Sequence, residues 1–168
     1  MTALLEATNN WYLDIDNGLL NGALFLDLIK AFDTVNHEIL LRKLQIYGVD
    51  LHPLRWFKSY LSNRKQSTFV NGTLSSYLDI LCGVPQGSVL GPLLFLVYIN
   101  DIGQCELSSK VEMYADDTSL TTSSPDPMRL EFKLNNDLEK VQKWLRSNKL
   151  TLNMSKRQNM LLSAVATN

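Results

Sequence analysis

Cysteine is scarce in this chain: Cys82 and Cys105 are the only two among 168 residues. They form no CxxC pair, so the sequence offers no zinc-binding spacing. As lone thiols they are expected to stay reduced in an intracellular setting. A surplus of positive charge is missing as well. Sixteen Lys and Arg stand against 17 Asp and Glu, giving a net charge of −1 and a pI of about 6.1. Affinity for nucleic acid comes largely from neutralising phosphates. The balance therefore argues against a complete nucleic-acid-binding machine, and any basic surface must be local. Long apolar runs are absent too. The most apolar stretch, Val89 to Ile99, contains Gly91 and Pro92 and is too short to span a bilayer. A buried helix is expected there, and no membrane partner. Met1 to Asn10 lacks a basic region followed by an apolar one, so no secretory leader is expected. There is no internal repeat and no low-complexity segment.

What is present suits a folded domain. Hydrophobic residues make up 45% and charged residues 20%, ordinary values for a globular chain. The length fits one domain, residues 1–168, with a core of its own. Residues 1–17 hold a helix end, and Asn21-Gly22 reads as a turn. Ala23 to Leu28 is a short apolar run, predicting a buried strand that ends at Asp27. Helical spacing begins after Asn36, with Ile39, Leu40, Leu44 and Tyr47 on one face and Gly48 as C-cap. A second helix is predicted from Pro53 to Leu61. Gln66–Val70 and Ser76–Leu81 flank Asn71-Gly72, a strong hairpin signal. A loop, Gly83 to Gly87, leads into a helix over Ser88–Ile102. Val111–Ala115 and Thr118–Thr122 read as strands meeting at an acidic pair. Asp126-Pro127 starts a long helix with the stripe Leu130, Leu134, Leu138, Val141 and Leu145. Leu150–Leu152 and Met160–Leu162 read as final strands. The mixture predicts an α+β or α/β fold.

Three clusters offer chemistry. Asp27 ends an apolar strand, and Asp116-Asp117 sits at a hairpin tip. Adjacent carboxylates repel, and Asp-Asp is a poor two-residue hairpin turn. A bound Mg²⁺ would explain both, and two such ions about 4 Å apart could activate a 3′-hydroxyl and stabilise a leaving pyrophosphate. A solvated acidic turn fits the same pattern. The Gly83 to Ser88 loop allows close backbone approach to a ligand at a helix start. It is equally a plain turn before a buried helix. Arg55 to Lys65 carries Arg55, Lys58, Arg64 and Lys65 with Trp56, Phe57 and Tyr60 and no acid. That mixture suits a single strand or template backbone, or an amphipathic helix with core aromatics and solvated charges.

Taken together the residues are familiar. Phe25-Leu26-Asp27-Leu28-Ile29-Lys30-Ala31-Phe32-Asp33-Thr34-Val35 resembles the first catalytic motif of non-LTR retrotransposon reverse transcriptases. Cys82 through Phe95, with Gly83-Val84-Pro85-Gln86-Gly87-Ser88, is similar to the second. Tyr114-Ala115-Asp116-Asp117 resembles the third, a Tyr-x-Asp-Asp box. Trp144, Asn148, Leu150, Asn153 and Lys156 resemble the fourth. The resemblance covers almost the whole chain and looks closest to the jockey, chicken-repeat and L2-like branch.

The resemblance implies an α+β palm: an antiparallel sheet backed by helices, with a partial fingers hairpin. It implies RNA-directed DNA polymerase activity on an RNA template, a DNA primer and dNTPs. Asp27, Asp116 and Asp117 would hold two Mg²⁺ ions, or Mn²⁺ in their place, assisted by the Leu28 carbonyl. Phe32 would be a steric gate against the ribose 2′-OH, the feature that sets the chain apart from RNA-dependent RNA polymerases. Pro85, Gln86 and Gly87 would line the nucleotide and template pocket, and Tyr114 would lie near the primer end. Lys156 would be a general acid towards pyrophosphate. Asp33 reads as structural or a helix cap, and His37, His52 and Asp101 as surface or packing residues. Arg157 stands where the family usually has Thr. Most of the fingers and all of the thumb are expected to be missing. A retroelement fragment without activity, binding nucleic acid at most, is the competing reading. Localisation is expected to be intracellular, nuclear or cytoplasmic. Oligomeric state is left open.

Overall fold

The computed structural model describes residues 3–114, 117–153 and 158–162. In chain order the elements are α1 (Ala3–Asp16), β1 (Leu20–Leu26), a 3-10 turn at Ala31–Asp33, α2 (His37–Ile46), α3 (Leu51–Leu61), β2 (Arg64–Gln66), β3 (Phe69–Val70), β4 (Thr73–Leu74), β5 (Leu78–Ile80), α4 (Leu90–Ile99), a 3-10 segment at Asn100–Gln104, β6 (Lys110–Tyr114), β7 (Asp117–Ser124), α5 (Pro127–Ser147) and β8 (Gln158–Leu162). They form two compact units. The first holds Met1–Ile29, Ile102–Ser147 and Thr151–Asn168; the second holds Lys30–Asp101 and Asn148–Leu150.

The first unit is an antiparallel sheet in the order β6-β7-β1-β8. Its central strand, β1, starts three residues earlier than the apolar run predicts. Asn21-Gly22 therefore lies inside a strand and is not a turn. The reason is packing. A Cβ on Gly22 would come within 2.8 Å of Leu134 Cδ1 and 3.2 Å of Leu130 Cγ, so the strand runs tight beneath α5. Asn21, buried on the opposite face of the pleat, donates its amide to the Trp11 carbonyl of α1 at 3.3 Å. Helix α5 starts as predicted. The Asp126 carboxylate accepts from the N–H groups of Met128 and Arg129 at 3.2 and 3.3 Å, satisfying two of the donors a helix start leaves open. Leu130, Leu138, Val141 and Leu145 of its stripe are buried, and Leu134 is half-buried.

The same helix buries a charge. Asp137 is fully enclosed and accepts from Ser108 N and Oγ at 3.1 and 2.9 Å and from Ser109 N at 2.7 Å. Burial alone would raise its pKa. The hydrogen bonds from Ser109 and Ser108 overcome that and hold it below the usual carboxylate range.

In the second unit, Asn36 caps α2 by accepting from Ile39 N at 3.1 Å. Leu40 and Leu44 are buried, but Tyr47 is exposed. Tyr47 is the C-cap residue, where the backbone leaves helical geometry and the spacing no longer applies. Gly48 follows at φ +87°. The predicted hairpin forms around Asn71 and Gly72, at φ +49° and +80°, which is type I′ geometry. It is broken into two short ladders, β3–β4 and β2–β5, whose pairing shifts by one residue between them. Lys43 is nearly buried and donates to the Tyr98 carbonyl at 2.5 Å and to Asp101 Oδ1 at 2.7 Å. Burial pushes the Tyr98 phenol up; the Asn36 N–H opposes this and Asp101 adds to it. Helix α4 is shorter than predicted, its end tightening into the 3-10 segment after Ile99. Leu150–Leu152 makes no regular strand, only a bridge from Leu152 to Leu28 in the first unit.

Asp137→Ala should cost about 2–4 kcal/mol in a urea titration, because three donors lose their acceptor. A depressed pKa means that this stabilisation is present above the unfolded-state value and is lost as pH falls through the folded one. The difference between wild type and Asp137→Ala should therefore shrink on acidification into that range, and stay constant above pH ~5.

Candidate active site

Antiparallel pairing brings two acidic residues to one end of the sheet. The last paired residues of β1 and β7 are Leu26 and Thr118. One step further lie Asp27 and Asp117. Residues directly opposite share a face of the sheet, so both carboxylates belong to the face of Phe25 and Ser119. That is the face away from α5, since Gly22, on the alternate set, packs against Leu130 and Leu134. Phe25 and Asp117 are exposed and Asp27 is half-buried, so this end of the face is open. Tyr114 pairs with Asp117 across β6 and β7. Ala115 and Asp116, which join those strands, lie outside the described residues, as does Lys156.

Asp27 is held by Asn153, a residue of the fourth motif to which the resemblance assigns no separate role. Asn153 Nδ2 donates to Asp27 Oδ2 at 2.8 Å, and Asn153 N donates to the Asp27 carbonyl at 2.8 Å. Leu28, buried, bridges to Leu152, and Ile29 N donates to the Thr151 carbonyl at 2.9 Å. The strand end is thus fixed on both edges. Spacing could not show this, because Asp27 and Asn153 are 126 positions apart. Among the described residues no group of three His, Cys, Asp or Glu gathers at metal-binding distance. Asp27 and Asp117 supply two hard oxygen donors, which suits a divalent cation, and the third expected ligand is Asp116.

The second unit brings together the remaining predicted residues. The loop from Gly83 is joined to the segment after Lys30 by backbone bonds, Gly83 N to Val35 O at 2.7 Å and Val84 N to Phe32 O at 2.8 Å. His37 Nε2 hydrogen-bonds the Gly83 carbonyl at 2.8 Å. Gly83 is at φ +91°, and a Cβ there would lie 2.8–3.0 Å from the Asp33 backbone, so only glycine fits. Phe32 stacks on Phe95 with centroids 4.5 Å apart and planes at 26°. Asp33 does not cap α2; its Oδ1 accepts from Gln86 Nε2 at 2.8 Å. A carboxylate only accepts, so this bond turns the Gln86 carbonyl oxygen away from Asp33. Pro85 is half-buried, and Gly87 is exposed at φ +77°. Ser88 Oγ donates to the Pro85 carbonyl at 2.7 Å and accepts from Gly91 N at 3.0 Å, which closes the loop onto α4. Asp101 binds Lys43, and His37 binds the loop. Neither Cys82 nor Cys105 is in a disulfide. Among the described residues no helix is long and apolar enough to cross a membrane.

Comparison with known proteins gives a consistent result. A family model described as reverse transcriptase (RNA-dependent DNA polymerase) matches residues 7–166. The chain is 34% identical over 144 residues to the RNA-directed DNA polymerase from mobile element jockey of Drosophila melanogaster, covering 81% of this chain and 16% of that protein. It is 32% identical over 145 residues to the probable RNA-directed DNA polymerase from transposon X-element of the same fly, covering 82% and 16%. The chain thus spans about one-sixth of the length of these relatives. Among solved structures it resembles telomerase from Candida tropicalis in complex with a fragment of telomeric RNA, with TM-score 0.66 and 12% identity over 95% of this chain and 30% of that one. Telomerase from Candida albicans gives TM-score 0.62 and 16% identity, covering 96% and 31%. At these identities the likeness is one of fold, and it agrees with an α+β palm.

Gly83→Ala should lower stability by about 2–4 kcal/mol in urea denaturation, from the left-handed backbone and the clash with Asp33. Gly87→Ala, with open space around its Cβ, should cost no more than about 1–2 kcal/mol.

Proposed function

The chain belongs to the reverse transcriptase (RNA-dependent DNA polymerase) family, and from that premise we propose that it is the palm region of an RNA-directed DNA polymerase. It would transfer a dNMP to a primer 3′-hydroxyl, copying an RNA template. The observation that carries this reading is the placement of Asp27 and Asp117 one residue beyond the last β1–β7 pair, Leu26 and Thr118, with Asn153 fixing Asp27. Reverse transcriptases generally use divalent metal ions. Here Asp27, Asp117 and Asp116 would hold two Mg²⁺, or Mn²⁺ in substitution, with the Leu28 carbonyl assisting. The metals, when bound, would lower the pKa of the attacking hydroxyl and neutralise charge on the departing pyrophosphate.

The protein's own groups do the positioning. Asn153 donates to one carboxylate oxygen of Asp27, which limits its rotation. In the second unit, Phe32 would exclude a ribose 2′-OH, and its stack on Phe95 keeps the ring from swinging aside. Gln86, turned by Asp33, would present its amide to the nucleotide or template, with Pro85 and Gly87 beside it. Tyr114 would lie near the primer end. Lys156 would donate a proton towards pyrophosphate. These roles are drawn from the motifs, as is the assignment of residues 1–168 to one reverse transcriptase domain containing part of the fingers.

The test is dNTP incorporation on a primed RNA template, with the chain set within the flanking regions of a jockey-type relative. Asp27→Ala, Asp116→Ala and Asp117→Ala should each reduce incorporation at least about a hundredfold. Asn153→Ala should reduce it about 10–100-fold. No incorporation by the wild-type chimera would favour the reading of an inactive remnant, whereas rates unchanged in the aspartate variants would overturn the metal-site assignment. Phe32→Ala should admit ribonucleotides; continued exclusion would remove Phe32 as the gate.

A further inference from the structure

The basic and aromatic segment from Arg55 to Lys65 has no part in the chemistry above. Its sequence fits either core aromatics or an exposed recognition surface, and the structure separates the two. The inward row of α3 is Leu54, Phe57 and Leu61, with Leu61 fully buried. Trp56 is on another row and is 54% exposed. Tyr60, four residues on, stacks parallel to it with centroids 5.5 Å apart and planes at 10°. Past the helix end, the Arg64 guanidinium lies 5.8 Å from the Tyr60 ring centre, within cation–π range. Trp56, Tyr60 and Arg64 thus form a ladder along one side of α3 into β2.

Charge accompanies the ladder. From Leu51 to Gln66 there are four cations, Arg55, Lys58, Arg64 and Lys65, and no acid, in a chain of net charge −1. Asp50 stands just before the helix, and Asp79 lies 3.8 Å from Lys65 across the β2–β5 pairing. Both members of that pair are largely exposed, so water and salt screen it. Burying an exposed Trp beside several cations suits a partner with flat apolar rings and regular negative charge. An unpaired nucleic-acid strand has both: bases that stack and phosphates that pair with Lys and Arg.

We propose that this ladder is a docking surface for single-stranded RNA. Its identification as template RNA rests on the function proposed above. The partner is read by stacking and by phosphate charge, so the surface tolerates any base sequence.

The experiment is fluorescence anisotropy with a labelled, unstructured RNA about 12 nucleotides long, using the whole chain in EDTA without dNTP. Trp56→Ala should weaken binding roughly 5- to 150-fold, the range for removal of one stacked base. Trp56→Phe should restore most of it, and Trp56→Leu should not. Arg55→Glu with Lys58→Glu should weaken binding and lower the salt slope by about 0.7 for each phosphate no longer neutralised. Urea midpoints would establish that these variants fold; the charge reversals are on the surface and test the idea even if Trp56→Ala unfolds. Several results would overturn the proposal. They are affinities within twofold of wild type across the folded variants, no binding by wild type, duplex RNA binding with the same ladder dependence, or ladder dependence for DNA alone. A self-association broken by Trp56→Ala, with RNA binding untouched, would assign the surface to a protein partner instead. Because metal and dNTP are absent, a failure of primer extension would leave ladder-dependent binding intact, and the two readings fail separately.

Discussion

The pairing register between β1 and β7 governs the acidic end of the sheet. With Leu26 opposite Thr118, Asp27 and Asp117 come next, on the same face. A slip of one residue would turn Asp27 towards α5 and bring Leu24 and Leu26 out of the core. Two features oppose that slip. Gly22 is the point where the strand passes tight under Leu130 and Leu134, and a larger residue there would have to push the Leu134 side chain aside. Asn153 grips both the backbone and the carboxylate of Asp27. Like charges at adjacent strand ends are unfavourable without compensation. A fold that enforces this register keeps an unfavourable pair in place, which is what a cation site requires.

The second unit solves a different problem. Phe32, Asp33, Gln86 and Gly87 are on surface loops, where side chains ordinarily wander. Here the loop from Gly83 and the turn at Ala31–Asp33 are joined by backbone bonds, and a glycine lets them touch. Behind them, Phe95 stacks on Phe32, and Tyr98 ties Asn36 and Asn148 to α4 through its hydroxyl, accepting from Asn36 N and donating to the Asn148 carbonyl at 2.5 Å. Lys43 and Asp101 complete this buried support. Phe32, Asp33 and Gln86 are thereby held from behind by stacking and hydrogen bonds.

Much of this was legible in the sequence, and the exceptions have physical causes. Local signals carry through to the structure: Asn36 is the edge of α2, Asp126-Pro127 the start of α5 and Asn71-Gly72 a hairpin turn. Each acts through groups within about four residues. Asn21-Gly22 misled because the same dipeptide that makes a turn also allows a close strand–helix approach, and only tertiary packing tells the two apart. Asn153 as the holder of Asp27 and Asp33 as the holder of Gln86 leave no mark in the sequence. Their partners are 126 and 53 positions away, and a hydrogen bond leaves no spacing signal at that distance. The aromatics of α3 were ambiguous for a third reason. Helical periodicity gives relative faces, but which face is buried depends on what packs against it.

The central claim is that Asp27 and Asp117 are held together to bind a divalent cation. Crystals grown with Mn²⁺ and a dNTP test this directly, through the anomalous signal of the metal. The account predicts a peak ligated by both carboxylates at about 2.0–2.2 Å, with Asn153 still bonded to Asp27. A peak elsewhere, or Asp27 and Asp117 turned to opposite faces of the sheet, would contradict it.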